Sequence, residues 1–178
     1  MFEEASSGGE ETLVEGYDWQ DVRRVVDVGG SDGAVVNALA RAYRNLDYLV
    51  QSLPQTIENA TVPQELSDRV ELVTHDMFQE QTISDADVYL IRFVLHDWSD
   101  KYAVKFLYAL ILGLGTRDER NKRILIKDTC LPDCGTMSLF DQRFLRATSL
   151  TMREIQNVKE RNAQEWRDLM RFADPRLV

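Results

Sequence analysis

Short runs of β-branched and aliphatic residues alternate along the chain with segments of helical periodicity, and this alternation constrains the fold most. Five such runs are predicted strands, at residues 25–28, 48–50, 70–73, 87–91 and 124–126. The spacing of apolar residues predicts helices between them, at residues 32–43, 54–60 and 102–114. Strands that alternate with helices form parallel βαβ units in which both faces of the sheet are covered. The sequence therefore predicts an α/β fold with five parallel strands, the first of them central.

The part of the chain after Pro132 shows no strand pattern. Residues 140–152 and 163–172 have helical spacing, and Asn162 is a suitable N-cap for the second of these helices. Residues 174–178 look like a turn that leads into another strand, so we expect a sheet without its C-terminal strands. Residues 1–15 contain acids but no Lys or Arg, which predicts a flexible acidic tail before one domain over residues 16–178.

Charge and cysteine content limit the classes of partner. The formal net charge of −9 argues against nucleic acid, because neutralising phosphates requires a basic surface. No apolar run approaches the roughly 20 residues that cross a bilayer, and no secretory leader opens the sequence. Cys130 and Cys134 are too few for a zinc site and form a poor disulfide framework, so we expect reduced thiols in a cytoplasmic protein without a metal. The expected partners are small molecules or proteins.

A glycine-rich loop follows the first predicted strand. Ligands of open α/β sheets bind at the carboxyl ends of the strands, and Gly29, Gly30 and Gly33 lie at the first such end. The spacing does not match the G-x-G-x-x-G pattern of dinucleotide folds. The acid Asp27 at the strand end suits a cofactor with an amino group better than one with a pyrophosphate. Taken alone, the loop is equally compatible with an ordinary strand-to-helix turn.

Four segments occur in an order that resembles the plant and fungal O-methyltransferases of the caffeate type, and the resemblance covers nearly the whole chain. They are residues 25–33, residues 76–78, residues 92–100 with the sequence Arg-Phe-Val-Leu-His-Asp-Trp-Ser-Asp, and residues 124–132. The His-Asp-Trp-Ser-Asp segment is the most specific of them. The opening Gly-Tyr-Asp-Trp at residues 16–19 is similar to the fungal branch of the family, which acts in secondary metabolism.

This resemblance implies a class I methyltransferase fold, a Rossmann-like parallel sheet with flanking helices, and S-adenosylmethionine as the cofactor. By position, Gly29, Gly30 and Gly33 would line the methionine and ribose of the cofactor. Asp76 and Met77 would meet its adenine, Ser52 lies at the ribose position, and Arg92 stands where the family has a basic residue near the cofactor.

The resemblance also implies three catalytic residues. His96 falls on the general base of the family, and Asp128 and Glu160 fall on the two acids that orient that histidine. A hydroxyl attacks the sulfonium methyl group better once it is deprotonated, and an imidazole can take that proton near neutral pH. The implied reaction is O-methylation of a small aromatic or polyketide-like metabolite. Considered one at a time, His96 also suits the start of a helix, and each acid suits a solvated surface.

Three departures from the family pattern leave alternatives open. Ser52 replaces the acid that holds the ribose hydroxyls, which predicts a cofactor affinity weaker by about 1–3 kcal/mol. The N-terminal helical domain of the family and the last two strands have no counterpart in this sequence. One alternative is therefore a family member with altered chemistry, a cyclase or pericyclase. Another is a non-catalytic pseudoenzyme that binds a protein partner, or a second copy of itself, through the incomplete sheet edge.

Overall fold

A computed structural model describes residues 10–114, 122–133, 135–156, 158 and 160–177 of the 178-residue chain. The described residues form two compact units. The first, which we call the sheet unit, consists of residues 10–92 and the described residues of Ala109–Lys127. The second, the histidine unit, consists of Phe93–Tyr108 and the residues from Asp128 onward.

The sheet unit contains a five-stranded sheet in which every neighbouring pair of strands is parallel. The strands are β1 (Arg24–Val28), β2 (Asp47–Ser52), β3 (Val70–Thr74), β4 (Val88–Arg92) and β5 (Arg123–Lys127). Their order is β3-β2-β1-β4-β5, so β1 is central and the direction of strand addition reverses there. The predicted α/β class, the five parallel strands and the central first strand are confirmed. Within the described residues, β5 pairs with β4 alone.

Both faces of this sheet are buried, as continuous apolar strands require. On one face, Val25, Val50 and Leu90 pack with the buried side of helix α2 (Ala34–Ala42) in a single apolar cluster. The alternate residues Val26, Leu49 and Tyr89 are exposed by 2% or less, so the opposite face is covered too. β-Branched and aromatic side chains favour this doubly packed environment.

The N-terminal boundary differs from the predicted one. Residues 10–15, placed by the sequence pattern in a flexible tail, form helix α1 (Glu10–Glu15). Leu13 is buried in the cluster that contains α2, and its carbonyl accepts a hydrogen bond from the indole of Trp19 at 3.3 Å. Burial of Leu13 therefore stabilises a segment whose composition is otherwise polar. Residues 1–9, the rest of the predicted tail, lie outside the described residues.

The remaining helices are close to those predicted. They are α3 (Pro54–Ile57), α4 (Asp100–Gly113), α5 (Leu139–Gln156) and α6 (Ala163–Ala173). Among the described residues, every helix is too short or too polar to traverse a bilayer. Asn162 caps α6 as predicted, since its side chain accepts from Glu165 N while the Glu165 carboxylate accepts from Asn162 N.

The histidine unit contains one feature that the sequence pattern missed. Two-residue strands β6 (Cys130–Leu131) and β7 (Arg161–Asn162) pair in parallel. β7 lies after Pro132, where no strand was predicted, and β6 was not predicted either. A two-residue strand has too few positions to show alternation, which is why periodicity does not reveal it. Residues 175–177 form a 3₁₀ turn, and Cys134 lies outside the described residues.

Candidate active site

Five of the predicted cofactor residues lie at the carboxyl ends of adjacent strands of the sheet unit. Gly29 follows β1, Ser52 ends β2 and Arg92 ends β4. Asp76 and Met77 come two and three residues after β3, and the bond from His75 N to Ser52 O (2.9 Å) ties that segment to β2. The parallel register aligns these ends at one edge of the sheet, where open α/β folds bind ligands.

The glycine loop depends on its glycines for conformation and for space. Gly29 and Gly33 have φ angles of 80° and 81°, in the left-handed region that L side chains rarely adopt. A Cβ added at Gly30 would collide with the Asp27 carboxyl and lie 2.9 Å from Val50 Cγ1. The non-glycine Ser31 also has a positive φ, 55°, so the strand-to-helix path is strained at the centre of the loop.

Asp27 lies fully buried beneath this loop. Burial raises the pKa of its carboxyl to about 7, and the positive charge of Arg92 opposes the shift. The chemistry of these residues suits a nucleoside that carries an amino acid. The protein's acids suit the ammonium group and the hydroxyls of such a ligand, and the guanidinium suits its carboxylate. The residues present at this edge therefore fit S-adenosylmethionine, with Ser52 in place of one acid.

The histidine unit brings His96, Asp128 and Glu160 together. His96 lies in a 3₁₀ turn (Leu95–Asp97), Asp128 directly follows β5, and Glu160 directly precedes β7. His96 Nδ1 lies 3.3 Å from Glu160 Oε1 and 3.5 Å from Asp128 Oδ1. The Asp128 carboxylate also accepts from the backbone N–H of His96 at 3.1 Å and from that of Thr129 at 2.8 Å. Two chain segments distant in sequence thus converge on one ring nitrogen.

Burial in this cluster is uneven. The side chains of Asp128 and Glu160 are each 2% exposed, whereas that of His96 is 16% exposed. Within the described residues, Glu160 Oε2 has no hydrogen-bond partner. His96 Nε2, the nitrogen on the far side of the ring, lies 3.5 Å from the half-exposed carboxylate of Asp97. The acids are therefore the inaccessible part of the cluster, and the imidazole is its accessible part.

The acids make His96 a stronger base than an isolated histidine. Burial by itself lowers the pKa of His96. The hydrogen bond to Glu160 and the negative charges of Asp128, Glu160 and Asp97 outweigh that effect, and the pKa of His96 is raised. Burial also raises the pKa of Asp128, to about 6, against the lowering effect of the nearby imidazole.

The same three side chains could in principle bind a metal ion. Their ligand atoms all lie within 4.8 Å of one another, although the sequence predicts no metal site. A histidine with two carboxylates is also the set expected of an acid–base relay, in which the acids fix the tautomer and stabilise the imidazolium. Chelation experiments separate the two possibilities.

Comparison with known proteins identifies the family. A model of the O-methyltransferase domain matches residues 2–174. This chain belongs to the O-methyltransferase domain family.

Fungal relatives of this O-methyltransferase domain are similar over most of its length. The O-methyltransferase pgmB of Aspergillus terreus is 40% identical over 174 residues, a match that covers 93% of this chain and 48% of pgmB. The grayanic acid biosynthesis cluster O-methyltransferase of Cladonia grayi is 42% identical over 175 residues, covering 95% of this chain and 38% of that protein. The chain therefore spans less than half the length of these two relatives.

Solved structures agree with the fold. The O-methyltransferase NcsB1 from neocarzinostatin biosynthesis aligns with a TM-score of 0.75 and 26% identity, over 92% of this chain and 47% of NcsB1. That protein was solved in complex with S-adenosyl-L-homocysteine and 1,4-dihydroxy-2-naphthoic acid. The class I methyltransferase fold of this domain is confirmed, and S-adenosylmethionine is supported as its cofactor.

The structure of this O-methyltransferase domain adds one residue that the sequence analysis did not single out. Arg161, next to Glu160, is 1% exposed and binds the turn that carries His96. In the sequence, a single Arg beside an acid carries no signal of burial, since most Arg residues lie at the surface. Only the tertiary contacts reveal it.

Proposed function

We propose that this domain supplies the cofactor-binding and acid–base residues of an S-adenosylmethionine-dependent O-methyltransferase, with His96 as the general base. Residues 16–178 would form the S-adenosylmethionine-binding catalytic domain. The observation that carries the proposal is the convergence of two buried carboxylates on Nδ1 of a partly accessible histidine. The family membership and the fit of the strand ends to the cofactor support it.

The geometry supports different roles for the two ring nitrogens. With Nδ1–H donating to Glu160, the neutral imidazole keeps its lone pair on Nε2, which is free of both buried acids. Nε2 would take the proton of a substrate hydroxyl, and the resulting imidazolium would be stabilised by the charges of Asp128 and Glu160. Asp128 additionally fixes the backbone of His96 through its bond to the amide N–H.

When bound, the cofactor would supply an electrophilic methyl group on a sulfonium for in-line displacement. The protein's contribution to such a step is mainly the placement of the two reactants. The glycine loop, Ser52, Asp76, Met77 and Arg92 would hold the cofactor, with Asp27 buried beneath the loop. The proton released by the substrate would reside on His96 Nε2 until solvent removes it.

The proposed substrate class is a small aromatic or polyketide-like metabolite with a free hydroxyl. The relatives support this class: one is named for a grayanic acid biosynthesis cluster, and the NcsB1 structure holds a dihydroxynaphthoic acid. A phenolic hydroxyl is acidic enough for an imidazole to deprotonate as the methyl group transfers. We therefore choose 1,4-dihydroxy-2-naphthoic acid as the first probe in a panel of phenols.

The test follows methylated product and S-adenosylhomocysteine together in the parent chain and in His96→Ala. General-base catalysis contributes about 10²–10⁴-fold, so turnover should fall on that scale. Calorimetry should show little change in S-adenosylmethionine affinity, because His96 belongs to the acid–base cluster. Full turnover in His96→Ala would show that His96 is not the base.

Matched variants refine the assignment. Asp128→Asn and Glu160→Gln preserve shape and remove charge, so each should reduce turnover less than His96→Ala does. Activity should persist in excess chelator, and a loss reversed by added divalent metal would instead make the cluster a metal site. Product formed without S-adenosylhomocysteine would point to a cyclase or pericyclase. These alternatives and the partner-binding pseudoenzyme stay predictions.

A further inference from the structure

We infer that Arg161 is a positioning residue that holds the His96 turn in place for proton transfer. This inference rests on the proposed function, in which His96 is the base. The guanidinium of Arg161 is buried and, among the residues that the structure describes, donates hydrogen bonds to the segment from Leu95 to Asp100. These partners flank His96 in the chain, so the action of Arg161 would pass through His96.

The guanidinium holds the His96 turn from both sides. Arg161 Nη1 donates to Leu95 O at 3.0 Å, and Nη2 donates to Trp98 O at 2.8 Å. These carbonyls belong to the residue before His96 and to the second residue after it. The amide N–H of His96 itself is bound to Asp128. The backbone around the imidazole is thereby fixed at three points, two of which depend on one side chain.

Arg161 is itself fixed by a carboxylate and an aromatic ring. Its Nε and Nη2 both donate to Asp100 Oδ1, at 2.9 and 2.8 Å, at the start of α4. Its Cζ lies 5.0 Å from the ring centroid of Trp166, a cation–π distance, and the Trp166 indole donates to Thr129 O at 3.0 Å. Thr129 follows Asp128, so the support extends to the residue beside the second acid.

The position of Arg161 in the chain gives it a second effect on His96. Glu160 and Arg161 are consecutive, with one side chain bound to the imidazole and the other to the backbone that carries it. Because the two residues are neighbours, the contacts that fix Arg161 also fix the backbone position of Glu160, whose side chain binds His96 Nδ1. Lysine cannot replace this arrangement, because its single ammonium group lacks the planar fork that binds two carbonyls and a carboxylate at once.

The test measures the pKa of His96 in the 178-residue chain by histidine side-chain NMR. The sequence has only two histidines, so His75→Gln assigns both signals, and His75 serves as an internal control. In Arg161→Lys the charge remains but the fork is lost. We expect the pKa of His96 to fall by roughly half to one pH unit as its contact with Glu160 loosens. The pKa of His75 should not change.

The direction of the shift separates positioning from electrostatics. Arg161→Met removes a positive charge, which by itself would raise the pKa of His96, whereas loss of positioning lowers it. A lower melting temperature with an unchanged pKa of His96 in Arg161→Lys would overturn the inference and leave Arg161 a structural residue. A raised pKa in Arg161→Met would overturn it as well.

A surface variant keeps the test valid if neither Arg161 variant folds. Asp100→Glu keeps the negative charge of a carboxylate whose side chain is 58% exposed and which anchors two guanidinium nitrogens, but moves that carboxylate by one methylene. It should lower the pKa of His96 in the same direction by a smaller amount, and no change would overturn the inference. The NMR result does not depend on turnover, so it is distinguishable from a failure of His96→Ala to lose activity.

Discussion

The two candidate sites of this domain are built in different ways. The loop after β1 is shaped by backbone: its glycines provide left-handed φ angles and space, and its residues are consecutive in sequence. The turn that carries His96 is shaped by side chains: Asp128, Glu160 and Arg161 reach it from 32 to 66 positions away. A backbone-built site should be most sensitive to an added Cβ atom. A side-chain-built site should be most sensitive to the loss of distant polar groups.

The largest expected effect comes from Asp27, a buried side chain that lies against the backbone-built loop. Unfolded Asp27 ionises near pH 3.8, but burial raises its pKa in the folded chain to about 7. Between these two pH values Asp27 is protonated in the folded chain and ionised in the unfolded chain. The free energy of unfolding therefore falls as pH rises from about 4 to about 7, and this contribution is constant above that. At about 1.4 kcal/mol per pH unit, the penalty reaches up to about 4 kcal/mol.

Chemical denaturation of the parent chain and of Asp27→Asn between pH 5 and 8 measures this penalty. The free energy of unfolding of the parent should fall relative to that of Asp27→Asn up to about pH 7 and then run parallel to it. A difference between the two proteins that does not vary with pH would show that Asp27 ionises normally. The ionisation of Asp27 would then make no contribution to the pH dependence of stability.

Gly30→Ala tests whether the backbone-built loop is sensitive to an added Cβ atom. Gly30 is not among the positive-φ glycines, so the cost should come from collision with the buried Asp27 carboxyl and Val50. Overpacking of this kind costs about 1–3 kcal/mol, and cofactor affinity should fall as the loop shifts. Thermal unfolding and calorimetry with S-adenosylmethionine give the two readouts.

Gly135→Ala is the matched control for this variant. Gly135 has a φ of 87° but nothing within 4 Å of an added Cβ. The substitution should cost about 1 kcal/mol of backbone strain and leave cofactor binding unchanged. If Gly30→Ala behaves no differently from Gly135→Ala, the loop has room that the structure does not show.

The smallest effect concerns Ser52, where a single side chain should tune the backbone-built site. Ser52→Asp would restore a carboxylate at the end of β2, and charge-assisted hydrogen bonds to ribose hydroxyls are about twice as strong as neutral ones. Affinity for S-adenosylmethionine should rise by up to about tenfold, equivalent to about 1.4 kcal/mol. Ser52→Asn controls for size. Submicromolar affinity in the parent chain would show that this position matters less than proposed.

The same contrast explains what could be predicted from the sequence. The strands and the glycine loop are local patterns, since period and residue type reveal them within a few positions. Helix α1 was missed because its stability comes from burial of Leu13 against distant residues. His96, Asp128 and Glu160 were selected through resemblance to a family, and no local pattern joins them. Arg161 was missed because its burial accompanies contacts with residues 61 to 66 positions away in the sequence.

One further detail of the glycine loop limits what this fold can bind. The amides of Gly29 and Gly30 both donate to Gln51 O, at 2.9 and 3.1 Å, and that of Gly33 donates to Gly30 O at 3.0 Å. Loops that cradle phosphate instead point free amides at the anion. These three amides should be protected from hydrogen–deuterium exchange before any ligand arrives. Amides that are already bonded within the loop are not available to an anion, so we expect the loop to bind a pyrophosphate cofactor poorly even if Ser31 and Ala34 were both replaced by glycine.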